Sequence, residues 1–191
     1  MRSLCLTRLL GRRLYRVFDY PNDADVSYQY NGAGERTQVQ DGRGTSTTAY
    51  DRRGRMIRSV DADGGIIEYQ YDAVGNLIAR ISPSQSLVYS HDARNRMESV
   101  TRTVDGEAPG TTTYEYDQVG NRTAMTTGGV RNEYSYDRRH RLTSLLKKTA
   151  AGALLLAMNY TVDASGLRTG VEETDASGIV RNVAYAYDAT K

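Results

Sequence analysis

The sequence predicts an all-β fold: an antiparallel meander of β-hairpin repeats, each of about 20 residues, forming a long twisted, curved sheet. Three observations predict it. A Tyr-x-Tyr-Asp phrase returns along the chain, each copy runs into an acid-first, glycine-last turn, and the aromatic residues are almost all tyrosine.

The repeat comes first, because a fixed period decides the architecture. Tyr28-Gln29-Tyr30-Asn31-Gly32-Ala33-Gly34 returns as Tyr69-Gln70-Tyr71-Asp72-Ala73-Val74-Gly75, as Tyr114-Glu115-Tyr116-Asp117-Gln118-Val119-Gly120, and as Tyr134-Ser135-Tyr136-Asp137-Arg138-Arg139-His140. Weaker copies are Thr48-Ala49-Tyr50-Asp51-Arg52-Arg53-Gly54, Tyr89-Ser90-His91-Asp92-Ala93-Arg94-Asn95 and Tyr160-Thr161-Val162-Asp163-Ala164-Ser165-Gly166, and an eighth opens at Tyr185-Ala186-Tyr187-Asp188. The Asp/Asn positions 31, 51, 72, 92, 117, 137, 163 and 188 step by 20, 21, 20, 25, 20, 26 and 25. The longer steps look like the basic period with a loop insertion.

In a strand, residues two apart point to one face, so Tyr-x-Tyr sets both rings on the same side of a sheet. The following Asp-x-x-Gly is a turn with a mechanism. Asp bonds its side chain to backbone amides ahead of it, and Gly three residues later supplies the positive φ that returns the chain to a strand. Where Gly is missing, the slot holds Asn95 or His140, side chains enriched at positive φ.

After each turn comes a strand of Arg and apolar residues, such as Arg55-Met56-Ile57, Asn76-Leu77-Ile78-Ala79, Arg96-Met97-Glu98-Ser99-Val100 and Arg141-Leu142-Thr143-Ser144-Leu145. A second, looser turn follows: Asp41-Gly42-Arg43-Gly44, Asp61-Ala62-Asp63-Gly64-Gly65, Asp105-Gly106, Gly128-Gly129 and Asp175-Ala176-Ser177-Gly178. One repeat is therefore two strands and two turns, the rhythm of a meander. Leu142 to Met158 is the one stretch with a helical look, but Gly152 interrupts it and the tyrosine phrase resumes at once, so it reads as strand, turn over 150–153, and strand.

Composition fits a thin sheet. There are 15 Tyr, one Phe and no Trp, so nearly every aromatic ring carries a hydroxyl that needs water or a partner when buried. The net charge is +2, with 25 Lys+Arg against 23 Asp+Glu, which argues against a dominant nucleic-acid field. Lysine appears only at Lys147, Lys148 and Lys191, and the remaining cations are arginines able to stack on Tyr and to grip carboxylates in two-point contacts. Cys5 stands alone, so no intrachain disulfide is available. No run approaches the roughly 18 apolar residues of a membrane helix, and no membrane span is predicted. Residues 1–19 show no repeat phrase and are read as an irregular N-terminal segment; Arg8 breaks the apolar stretch a signal peptide requires. Residues 20–191 are read as the repeat array, with its last repeat truncated.

Candidate chemistry is sparse. The Asp residues occupy one turn slot in every copy, which turn capping explains without a catalytic carboxylate pair. His91 replaces a repeat Tyr and His140 a repeat Gly, so both read as structural substitutes rather than bases or ligands. Asp61-Ala62-Asp63-Gly64 echoes the opening of a calcium loop, yet the helical context and the bidentate Glu are absent. No catalytic residue, metal site or cofactor is predicted. Asn121-Arg122-Thr123 and Asn159-Tyr160-Thr161 match glycosylation sequons, relevant only in a eukaryotic secreted context.

The phrase Tyr-x-Tyr-Asp-x-x-Gly-Asn/Arg resembles the YD repeat of the Rhs family, shared with the B and C components of insecticidal toxin complexes and with teneurins. The resemblance covers about residues 15 to 191; Tyr20-Pro21-Asn22-Asp23 also resembles the Tyr-Pro-Asp-Gly element that often precedes a YD phrase. It implies a spiralling β-sheet wall that closes a hollow shell, in polymorphic toxins around a C-terminal toxin domain. The chain is much shorter than such a shell, ends inside a repeat, and lacks the core motif that supports self-cleavage, so the resemblance implies a fragment. The implied role is a non-catalytic wall segment, secreted or at the cell surface, whose partners are further repeats or a toxin domain. The alternative is a carbohydrate- or protein-binding module using the Tyr and Arg rows; a toxin or hydrolase ranks last, because no toxin domain follows the repeats.

Overall fold

A computed structural model describes residues 4–10, 13–19 and 26–187, with side chains described from Val26 onward. The chain divides into two compact units, one of Met1–Val88 with Thr103–Glu107, the other of Tyr89–Arg102 with Ala108–Lys191. The first unit holds β1 (Leu4–Leu10), β2 (Arg13–Asp19), β3 (Val26–Tyr30), β4 (Arg36–Asp41), β5 (Gly44–Tyr50), β6 (Met56–Val60), β7 (Ile66–Tyr71) and β8 (Leu77–Ser82). Strands β9 (Gln85–His91) and β10 (Met97–Val104) contribute residues to both units. The second continues through β11 (Gly110–Tyr116), β12 (Arg122–Thr127), β13 (Val130–Tyr136), β14 (Leu142–Thr149), β15 (Leu154–Val162), β16 (Arg168–Asp175) and β17 (Val180–Ala184).

Successive strands from β1 to β9 and from β10 to β17 pair antiparallel, and no helix occurs among the described residues. Both arms of the 142–158 stretch are strands, separated by residues 150–153. Residues 1–19, read from sequence as irregular, contain β1 and β2, paired from Leu4 opposite Asp19 to Leu10 opposite Arg13. β2 in turn pairs with β3, so backbone pairing to a repeat strand orders a segment that lacks the repeat's side-chain phrase. The Tyr20-to-Asp23 element and Asp188 lie outside the described residues.

The hairpins share a feature the period did not announce. One residue before the acid, the register shifts: Gln29 faces Gln38 while Tyr30 faces Arg36, and the same slip recurs at Tyr50, Tyr71, Tyr116, Tyr136 and Val162. The residue left over is Thr37, Ile57, Ile78, Thr123, Thr143 or Thr169, always β-branched, in a β-bulge that increases local twist.

Among the described residues there is no thick core. The buried apolar residues are Ala79, Ala124 and Ala157, and no side chain larger than these is fully buried among the described residues. With so little side-chain burial, each hairpin is held by contacts with its neighbouring strands and turns.

Candidate functional site

All but one of the described YD corners close by the same backbone exchange. In the corner opening at Asp51, the Asp51 N–H donates to the Arg55 carbonyl at 2.9 Å and the Gly54 N–H donates to the Asp51 carbonyl at 3.1 Å. Asp51 Oδ1 accepts the N–H groups of Arg53 and Arg55 at 2.8 and 3.0 Å. The corners at Asn31, Asp92, Asp117, Asp137 and Asp163 follow the plan, while at Asp72 the Gly75 N–H donates to the Asp72 Oδ1 at 2.7 Å in place of the carbonyl; each is capped through its own Oδ1. Glycines 34, 54, 75, 120 and 166 stand at positive φ in the last slot, and Asn95 and His140 hold that slot at φ 61°.

The corners alternate in kind. Those opening at Asp51, Asp92 and Asp137 carry arginine two and four residues later: Arg53 and Arg55, Arg94 and Arg96, Arg139 and Arg141. The intervening corners carry Ala33, Val74, Val119 or Ser165 and then Glu35, Asn76, Asn121 or Leu167. The arginines staple one repeat to the next. Arg96 Nε bonds its own Asp92 at 2.7 Å while its Nη1 reaches the Asp117 carbonyl at 3.0 Å, and Arg94 Nη1 donates to the Gln118 carbonyl. Arg55 and Arg53 make the same pair of bonds to the carbonyls of Asp72 and Ala73, and Arg141 and Arg139 to those of Asp163 and Ala164. Arg55 and Arg96 also lie over the next repeat's Tyr71 and Tyr116 rings, 4.5 Å from each centroid.

The tyrosines answer from the other side. The second Tyr of a phrase donates its hydroxyl to the carbonyl five residues beyond the preceding repeat's acid: Tyr50 to Arg36, Tyr71 to Met56, Tyr116 to Met97, Tyr136 to Arg122 and Tyr187 to Arg168, at 2.8–3.0 Å. Arginines sit over Tyr28, Tyr114, Tyr134 and Tyr160, the first tyrosines of their phrases. Tyr30 on β3, Tyr69 on β7 and Tyr89 on β9 are partly covered. Tyr185 and Tyr187 are the most open, at 42% and 53% exposure. His91 takes a tyrosine position, and its buried Nδ1 has no hydrogen-bond partner.

These bonds fix the electrostatics. The carboxyls of Asp51, Asp92 and Asp137 lie below the usual carboxylate range, foremost because the backbone N–H groups of Arg55, Arg96 and Arg141 donate to them, with the arginine side chains adding to the effect. At Asp72 and Asp117 partial burial pushes upward, but the side-chain and backbone N–H groups of Asn76 and Asn121 together hold the carboxyl down. At Asp163 the Ser165 hydroxyl leads. A carboxylate so stabilised is a weak base.

One further cluster escaped the sequence reading. On the strand faces turned away from the tyrosine rows, Glu115, Arg131, Glu133 and Lys148 form an ion chain across β11 to β14. Arg131 grips Glu115 in a two-point contact at 2.6 and 2.9 Å and meets Glu133 at 3.1 Å, and Lys148 meets Glu133 at 2.6 Å. Ala124, directly opposite both Glu115 and Glu133, is only 1% exposed, and its small side chain lets the longer ones close over it. The Glu115 and Glu133 carboxyls lie below their usual range, the first through Arg131 and the second chiefly through Lys148. Among the described residues no three His, Cys, Asp or Glu side chains converge as a metal site; Asp61 caps its own turn by accepting the Asp63 and Gly65 N–H groups.

The family model for the RHS Repeat matches residues 50–87 and 71–108. No curated protein matches the sequence. Among solved structures, the chain is similar to a crystal structure of TcdB2-TccC3-TEV, with TM-score 0.67 and 14% identity over 90% of this chain and 11% of that one. It is also similar to a structure of a Photorhabdus luminescens Tc holotoxin pore with a mutated TccC3, with TM-score 0.52 and 14% identity over 91% of this chain and 13% of that one. At such identity the likeness is one of fold, and the chain spans about a tenth of the length of these structures.

Proposed function

We propose that this chain, whose residues 50–108 are RHS repeats, is a non-catalytic wall segment of a larger Rhs-type shell. The carrying observation is where its polar chemistry goes. In three successive pairs of corners, the capping aspartates and the arginines two and four residues after them are bonded to their own turn or to the next repeat's backbone, and five tyrosine hydroxyls are bonded to backbone carbonyls. A recognition surface would leave such groups facing outward. The two solved structures of similar fold named above share TccC3, and one is a Tc holotoxin pore, which supports a secreted or cell-surface setting in which further repeats flank the segment and a toxin domain is the enclosed cargo.

The test sets wall against recognition module. Variants with one or two repeats removed should lose stability stepwise, as nearest-neighbour coupling requires, and the chain should show no saturable ligand on glycan and peptide arrays. A ligand that saturates, and whose binding is lost when the exposed Tyr185 and Tyr187 are changed to Ser, would overturn the reading in favour of a carbohydrate- or protein-binding module.

A further inference from the structure

Asn31 and Glu35 close the β3–β4 corner with donor and acceptor exchanged. At Asp72 and Asp117 the first residue supplies the carboxylate and the residue four later, Asn76 or Asn121, supplies the amide N–H, at 2.9 and 2.8 Å. In the first corner Asn31 Oδ1 accepts the N–H groups of Ala33 and Glu35 at 3.0 Å, so Nδ2 is the free donor, and it bonds Glu35 Oε2 at 2.5 Å. The other Glu35 oxygen reaches over the next corner, 2.7 Å from the position a Cβ on Gly54 would take. Wherever the two positions interact through their side chains, one donor faces one acceptor; here the polarity is reversed.

The reversal places a labile amide at an unhindered peptide bond. Gly32 follows Asn31, is exposed, and has nothing within 4 Å of the position of an added Cβ. Every other asparagine in the chain precedes a residue with a side chain. A backbone nitrogen next to glycine lacks the steric cover that a Cβ gives, and asparagine is among the thermally labile residues.

We propose that Asn31-Gly32 is a deamidation site gated by Glu35, and that its conversion uncouples the first corner. The Gly32 backbone nitrogen attacks Asn31 Cγ, the Cγ–Nδ2 bond breaks, and ammonia leaves a cyclic imide. Water then opens the imide to aspartate or isoaspartate, so one water enters and one ammonia departs. The attack requires the amide to leave its cap, and local opening of the corner therefore sets the rate. The product has two carboxylates where one donor met one acceptor, and like charges held this close repel.

The test uses the full chain, aged in mildly alkaline buffer at physiological temperature and mapped by peptide mass spectrometry. Deamidation is expected at Asn31 several-fold faster than at Asn159 or Asn182, faster again in Glu35→Ala, and fastest in the urea-unfolded chain. Asn31→Asp, which mimics one product, should melt at lower temperature than wild type. Adding Glu35→Asn to it recreates the Asp72/Asn76 arrangement and should restore the loss. Asn31 reacting no faster than Asn159 and Asn182, or Glu35→Ala reacting at the wild-type rate, overturns the gated site. An Asn31→Asp variant as stable as wild type, or a double variant no better than the single one, overturns the uncoupling.

Discussion

Arg96 and Tyr116 lock two successive repeats reciprocally: the guanidinium stands 4.5 Å from the ring centroid and donates to the Asp117 carbonyl, and the Tyr116 hydroxyl donates back to the carbonyl of Met97, the residue after Arg96. A planar, multi-donor cation is needed to meet Asp92, a backbone carbonyl and a ring at once. Arg96→Lys keeps the charge and loses the fork, and should destabilise by roughly 1–2 kcal/mol in thermal or denaturant unfolding. Arg138→Lys, at an exposed corner tip, serves as control and should stay within about 0.5 kcal/mol. Equal effects from the two would remove the staple from the account of stability.

Gly120 stands at φ +103° and its N–H caps onto Asp117 at 2.8 Å. A β-branched side chain is strained there, so Gly120→Val should cost more than about 1 kcal/mol. The same argument applies to Gly75 at φ +111°. Neutral substitutions at both positions, measured by melting temperature, would show that the corner tolerates another backbone path.

How much of this was legible in the sequence follows from what each feature depends on. The corners were legible because Asp and Gly three apart carry their own turn chemistry, and Asn95 and His140, residue types that tolerate the left-handed region, stand in the glycine slot at φ 61°. The alternation of corners was visible at Arg53/Arg55, Arg94/Arg96 and Arg139/Arg141, but a search for a period near twenty averages over a feature that returns at twice that spacing. The bulge at Thr37, Ile57 and their counterparts is a property of hydrogen-bond register, which residue type alone does not set. The ion chain joins Glu115 to Lys148 across four strands, and its contacts exist only once the strands are in register. Strands β1 and β2 lacked the phrase that marked the others and are visible only through their pairing.

His91 occupies a slot where tyrosine elsewhere reaches a neighbour's carbonyl, and its buried Nδ1 bonds nothing. An unsatisfied buried polar atom carries a desolvation cost that a completed hydrogen bond removes. His91→Tyr should therefore stabilise the protein by about 1 kcal/mol. A loss of stability would mean that the imidazole fits a space a phenol ring overfills.

Arg131 bridges Glu115 and Glu133, so its removal leaves two carboxylates facing across Ala124. Arg131→Met retains most of the aliphatic stem and should cost roughly 0.5–1 kcal/mol at low salt, shrinking as salt is added, because exposed ion pairs are screened. A cost independent of ionic strength would assign the effect to packing over Ala124 rather than to charge.

The corner aspartates couple stability to pH in one direction. Asp51, Asp72, Asp92, Asp117, Asp137 and Asp163 all have carboxyls held below the usual range in the folded chain. A carboxyl whose folded pKa is depressed binds fewer protons folded than unfolded. Its contribution is therefore fully present above the unfolded value of about 3.9 and is lost as pH falls through the folded one. The melting temperature should be level from neutral pH down to about 5 and then fall below about 4, as six similar corners protonate together. Asp117→Asn alters one of the six and should make that acid-side fall shallower while lowering stability at neutral pH, because the amide can present its oxygen to the Val119, Gly120 and Asn121 N–H groups but cannot accept the Asn121 side-chain bond. A melting temperature unchanged between neutral pH and about 3 would show that the aspartate caps contribute nothing beyond what a neutral turn residue provides.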